Sequence, residues 1–405
     1  MQSKSKNRII FMLYALCLGA VIGAIVWTFL KLMNTSIEFL WDKLPSMINI
    51  PFYTIIICTL GGLIIGLWRR YAGDYPEELE EVIIKVKKDG KYPYNNIGKV
   101  SISAILPLIF GGSIGPEAGL TGIIVGLCSW INDKFKDMFK EMKELTQIGI
   151  SATLGTIFNS PMFGFVEPIE TEEDVSIPKV SKIILYFLAI FGALGIVILL
   201  NSIFQGGAGM TSFSEIHIGK IEWLWLIPLS LIGVIGGIVY SLYNTVAKKI
   251  EKYIKKYTVI KCVIAGLLLG IAGTFLPYTM FSGEEQMLDV MSEWQGIGAS
   301  ALLLTAIVKL FITNTCIILG FKGGHFFPCI FSGVCIGYAV ALLIGIDPVF
   351  CVCIITTALM AYLLKKPFAT VLLLMICFPT SAVLVMLLAA VIGSYIKKSK
   401  FIEIE

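Results

Sequence analysis

The chain has 405 residues, of which 57% are hydrophobic and only 15% charged, and its mean hydropathy is +0.85. Those proportions exclude an ordinary soluble enzyme and describe a polytopic membrane protein. A formal net charge of +4 is too small to indicate nucleic acid as a partner.

In chain order, Lys4, Lys6 and Arg8 precede an apolar run from Ile9 to Leu30. That run is too long for a signal-peptide core and reads as the first membrane helix. Further apolar segments are expected near 50–68, 100–130, 146–168, 180–203, 221–247, 258–277, 297–320, 324–346, 348–365 and 367–396. Gly, Pro or Asn interrupts several of them, which predicts broken and reentrant helices rather than a series of clean spans. Between Arg69 and Lys99 one amphipathic helix is expected: Pro76, Glu77 and Glu78 start it and Lys85, Lys87 and Lys88 finish it, in accord with the helix dipole. Positive charge gathers in 1–8, 69–99, 134–143, 248–261 and 396–400. Placing these inside gives a multi-pass protein of the cell membrane with both termini cytoplasmic and 33–50 and 203–220 outside.

The stretch Phe110 to Leu120 stands out. Gly112-Ser113-Ile114-Gly115-Pro116 is a glycine-rich turn, and Pro116 suits the first position of a new helix. Helix N-termini offer unpaired N–H groups to anions, and broken helices at membrane depth line substrate paths. Break points also repeat along the chain. Gly73-Asp74 and Gly283-Glu284, each read as opening a helix, are 210 residues apart. Gly112 and Gly323 are 211 apart, and Asn159-Ser160-Pro161 and Lys365-Lys366-Pro367 are 206 apart. This predicts two membrane repeats, 1–205 and 206–405.

The ten cysteines lie almost entirely in apolar runs and read as small buried hydrophobes. The two histidines, His217 and His325, are too far apart in sequence to suggest a metal site. No cofactor is implied, and no nucleophile–base set or nucleotide loop points to an enzyme.

With these residues in view, the sequence resembles the CLC family of chloride channels and chloride/proton antiporters. The family motif Gly-Arg-Glu-Gly-Pro is similar to Gly112-Ser113-Ile114-Gly115-Pro116, and Gly-Gly-x-Phe-x-Pro reads Gly323-Gly324-His325-Phe326-Phe327-Pro328. Phe-Asn-Ala-Pro reads Phe158-Asn159-Ser160-Pro161, and Gly-Ser-Gly-Ile-Pro aligns less well with Ala72-Gly73-Asp74-Tyr75-Pro76. The resemblance implies an all-α membrane fold of two inverted-repeat halves, small anions such as chloride as partners, and a homodimer with one path per subunit.

The departures carry equal weight. Ile114 stands where the family has its gating Glu, Thr171 falls where the antiporters have an internal proton Glu, and Gly73 replaces an anion-contacting Ser. Tyr395 is the one candidate near the C-terminus for the family's anion-contacting Tyr, and the residues around it do not match the family's. The expected anion contacts are Gly73, Ser113, Ile114, Gly115, Glu117, Gly324, His325 and Phe326. In this reading the N–H groups of Gly324, His325 and Phe326 face the ion. Glu117, in the first turn of the broken helix, is either a displaced gate or a cap of its own N-terminus. Glu170, within the acidic group of Glu167, Glu170, Glu172 and Glu173, is a substitute proton relay or part of a wetted face. His325 packs or, facing the path, attracts anions at low pH. Lys309 either snorkels or lends positive potential. Loss of both family carboxylates predicts passive or uncoupled anion permeation. The alternative is a proton-coupled antiporter using Glu117 as gate and Glu170 as relay.

Overall fold

The structure, a computed structural model, describes residues 2–48, 50–89, 92–134, 145–170, 180–204, 212–213 and 215–397. These residues are helical apart from their connections. The first half holds α1 (Gln2–Glu38), α2 (Leu44–Met47), α3 (Tyr53–Ala72), α4 (Leu79–Asp89), α5 (Ile97–Ile109), α6 (Glu117–Lys134), α7 (Leu145–Ile157), α8 (Pro161–Glu170) and α9 (Val180–Phe204). The second holds α10 (Lys220–Ile254), α11 (Thr258–Phe275), α12 (Gln286–Ile297), α13 (Ala299–Leu319), α14 (Phe326–Ile344), α15 (Pro348–Leu364), α16 (Pro367–Leu374) and α17 (Val383–Tyr395). Seven helical segments of the described residues are long and apolar enough to cross a membrane, Ile9–Met47 and Phe326–Ile344 being the first and last. Others, including Ile97–Ile109 and Pro348–Leu364, are apolar but too short to span alone.

The succession α3 to α9 is followed by the same succession in α11 to α17, each helix starting 202 to 209 residues after its counterpart. Local chemistry sets the breaks. Pro161, Pro348 and Pro367 each occupy the first position of a helix, where a missing N–H costs nothing. Asn159 and Lys365, just before two of them, have positive φ. One expectation is corrected: Gly73-Asp74 opens no helix. Gly73 instead closes α3, its N–H bonding the Arg69 carbonyl at 2.9 Å, and the next helix begins at Leu79.

The chain forms two compact units, one of residues 1–35, 76–102 and 117–210, the other of 36–75, 103–116 and 211–405. In the first, Gly19 and Gly23 of α1 lie against the backbone of Ala189 and Ala193 on α9. In the second, α3 and α11 pack through Gly62-x-x-x-Gly66 and Gly266-x-x-x-Gly270. A side chain at Gly62 would collide with the Cys262 carbonyl, and one at Gly266 with that of Cys58. Small residues four apart let helix backbones approach where lipid offers no hydrophobic drive for association.

Candidate functional site

The second unit brings two glycine turns together. The first follows α5, where the Gly112 N–H reaches back to the Pro107 carbonyl at 2.9 Å and the Ile114 N–H bonds Gly112 at 2.8 Å. The second follows α13, which ends at Gly320 with the Phe321 N–H on the Cys316 carbonyl at 2.8 Å. The turns meet at Gly115 and Gly324, which exchange both backbone hydrogen bonds at 2.8 Å in an isolated antiparallel bridge. Each bridging glycine stands two residues before the start of a helix, α6 at Glu117 and α14 at Phe326. In this unit the electropositive N-terminus of α14 therefore begins at the bridge.

The bridge depends on small residues. A Cβ on Gly323 would lie 2.9 Å from the Ile114 Cβ and 3.0 Å from the Gly115 carbonyl oxygen, closer than real side chains tolerate. Ile114 is fully buried, its side chain packed over Gly112 and Gly323. Ile114 is thus an aliphatic wedge between the turns. Ser113, also buried, shares a hydrogen bond with Thr313 on α13, Oγ to Oγ1 at 3.0 Å.

A third segment, 276–283, braces the first turn. The Phe281 N–H bonds the Gly111 carbonyl at 3.1 Å. Trp41 donates its indole N–H to the Ile109 carbonyl at 2.9 Å and meets the Phe281 ring edge-on at 5.5 Å. Fully buried Lys309 holds this segment. Its ammonium donates to the carbonyls of Tyr278, Met280 and Phe281 at 3.0, 3.0 and 3.1 Å and lies 4.8 Å from the centre of the Phe331 ring. Lys309 therefore does not snorkel. Three carbonyls and an aromatic face replace its hydration.

The other predicted residues fall as follows. His325 is half-buried, stacked on Tyr240 at 5.6 Å and edge-on to Phe326 at 5.0 Å, so its ring packs in an aromatic group. Phe326, buried, opens α14. Glu117, fully buried, opens α6 in the first unit. Glu170 ends α8 half-buried, whereas Glu167 on the same helix is fully buried. Thr171, with Glu172 and Glu173, lies outside the described residues.

Three expectations change. The Gly324 N–H does not face an ion, because it is donated to Gly115, and the Gly115 N–H is spent in return. The Gly73 N–H is used to close α3. Tyr395 ends α17 with 80% of its surface exposed and is not a residue of a buried site. Sequence reasoning also missed Thr313, Tyr240, Trp41 and Phe281. Each lies far along the chain from the turn it supports, and none has a motif of its own.

Two glycine turns joined at their tips, each leading into a helix, within a polytopic helical chain, define a membrane transport protein. The chain belongs to the voltage gated chloride channel family, whose profile matches residues 61–398, and so to a family of CLC-type anion transporters. It is similar to the ion-transport protein YfeO of Escherichia coli O17:K52:H18, with 25% identity over 346 residues covering 82% of this chain and 79% of that protein. The protein of that name in Shigella flexneri is 23% identical over 345 residues, with the same coverage. Among solved structures, a CLC-type fluoride/proton antiporter matches with a TM-score of 0.78 at 20% identity, covering 96% of this chain and 95% of that one. A slow cyanobacterial chloride/proton antiporter matches at 0.75 and 18% identity, covering 95% and 94%. These structures share the fold.

Proposed function

We propose that this protein conducts small anions passively, or carries them without coupling to protons. The observation that carries the proposal is Ile114, buried between the turns at the position where the family gate is a carboxylate. An aliphatic side chain neither competes with an anion for N–H groups nor takes up a proton. Beside it, the α14 N-terminus supplies partial positive charge without a fixed cation that would trap the ion. The path is expected to serve one chain of a homodimer in the cell membrane, with both termini cytoplasmic. Purified protein in chloride-loaded liposomes should release chloride when a potassium ionophore balances charge, with no need for a proton ionophore. A requirement for the proton ionophore would overturn the proposal. Fluoride belongs in the same assay, because one structural neighbour is a fluoride/proton antiporter.

A second reading, a proton-coupled antiporter, is favoured by two buried carboxylates of the first unit, Glu117 and Glu167. In it Glu117 serves as the displaced gate. Glu117→Gln should then abolish proton movement while sparing anion flux. An unchanged pH dependence would make Glu117 a helix cap.

A further inference from the structure

Helix α10 is longer than a membrane crossing. Its 35 residues measure about 52 Å, and even at a tilt of about 40° they rise about 40 Å, against a hydrocarbon core of about 30 Å. The excess falls at the C-terminal end. There Lys248, Lys249 and Lys252 stand on the helix and Lys255 and Lys256 directly follow it, five lysines in the nine residues 248–256. Charge this dense does not sit in hydrocarbon.

All five lysines are exposed, and among the described residues none is ion-paired. The one carboxylate of the stretch is turned away from them: Glu251 accepts from Nζ of Lys261, buried on α11, at 2.8 Å. Helix α3 reaches the same level, because Gly66 lies against Val259 in the first turn of α11. It adds exposed Arg70 and the ring pair Trp68 and Tyr71, 5.8 Å apart, residue types that favour the headgroup level. Asp74, the acid beyond them, is engaged by Arg69 and Lys322.

The last turns of α10 are also amphipathic. Val246, Ile250 and Tyr253 share one face by their spacing and are exposed, Tyr253 by 88%. By the same spacing they continue the row of exposed Ile235 and Leu242, and the opposite side of the helix packs on α15 through Gly233 and Gly237. An extension built for water would carry polar residues on the outer face. This one carries the side chains of a lipid-facing helix, flanked by lysines, as interfacial helices do.

We propose that the end of α10, its turn into α11 and the end of α3 form a seat for phospholipids with anionic headgroups. Val246, Ile250 and Tyr253 enter the acyl boundary, and the five lysines, with Arg70, hold the headgroup phosphates. A soluble anion has no use for the apolar row, so the occupant is the lipid. The seat uses no feature of the anion path and stands or falls apart from it.

The test is native mass spectrometry of the purified full-length protein in detergent, titrated with dioleoyl phosphatidylglycerol or dioleoyl phosphatidylcholine. The protein should bind the glycerol lipid about tenfold more tightly. A variant with Lys248, Lys249, Lys252, Lys255 and Lys256 all changed to Gln should bind the two lipids equally. Equal binding by the unaltered protein, or a preference that survives the five changes, would overturn the proposal. Ile250→Ser with Tyr253→Ser keeps every charge and should weaken phosphatidylglycerol binding about threefold. Unchanged binding there would reduce the lysines to a topology signal and overturn it equally, as would displacement of the lipid by an equal concentration of glycerol 3-phosphate. Should the five-Gln variant fail to insert, Lys249→Gln with Lys252→Gln must lower the preference, and an unchanged preference overturns the proposal.

Discussion

Gly115 and Gly324 each donate their backbone N–H to the other's carbonyl at 2.8 Å, joining turns 209 residues apart in the chain. The pair fixes where α14 begins relative to the first turn, and Ile114 is wedged beside it. The proposed anion path depends on that geometry.

Gly323→Val should disturb it directly. The added side chain meets Ile114 and the Gly115 carbonyl at once. Overpacking of this kind costs about 1–3 kcal/mol. We expect a lower melting temperature and loss of chloride flux, measured on the same preparation in detergent and in liposomes.

Ile114→Glu should place a carboxylate gate at the first turn. An ionised carboxylate between the turns would compete with the permeating anion and lower flux about tenfold at pH 7.5, equivalent to ~1.4 kcal/mol. Acid neutralises a carboxylate, so flux should recover as the pH falls towards 4.5. Flux that ignores pH in this variant would place position 114 outside the path.

Lys309→Met should loosen the brace on the first turn. Three carbonyls lose their shared donor, so the loss is about 3 kcal/mol, partly offset by removing a buried charge. Thermal unfolding should register it as a fall of several degrees. Trp41 fluorescence should shift, because its ring packs on Phe281, the residue Lys309 holds.

Gly266→Leu should prevent α3 from packing on α11, since the new side chain would occupy the space of the Cys58 carbonyl. Size-exclusion chromatography in detergent is expected to show aggregate in place of a monodisperse peak.

Much of this fold was legible in the sequence because its breaks are local. Pro161 and Pro367 open helices by their own ring geometry, and Gly112 and Gly323 mark turns whatever surrounds them. The spacing of two of those breaks matches the spacing of the helix starts in the two successions. The expected anion contacts drew on both turns, but the exchange of N–H groups between them was not anticipated. Whether Gly324 offers its amide to an ion or to Gly115 is decided by a residue in the other half of the chain. Lys309 was ambiguous for the same reason: its three acceptors lie 28 to 31 residues away, on backbone that carries no signature. Gly73 was misread because a Gly-Asp pair closes one helix as readily as it caps the next, and α3 already extended to it.

The most direct test of uncoupled permeation is a simultaneous record of chloride and proton movement in liposomes under an imposed chloride gradient. We predict chloride flux that runs the gradient down while external pH stays constant. Protons driven uphill at a fixed ratio to chloride would contradict the account and make the protein a coupled antiporter.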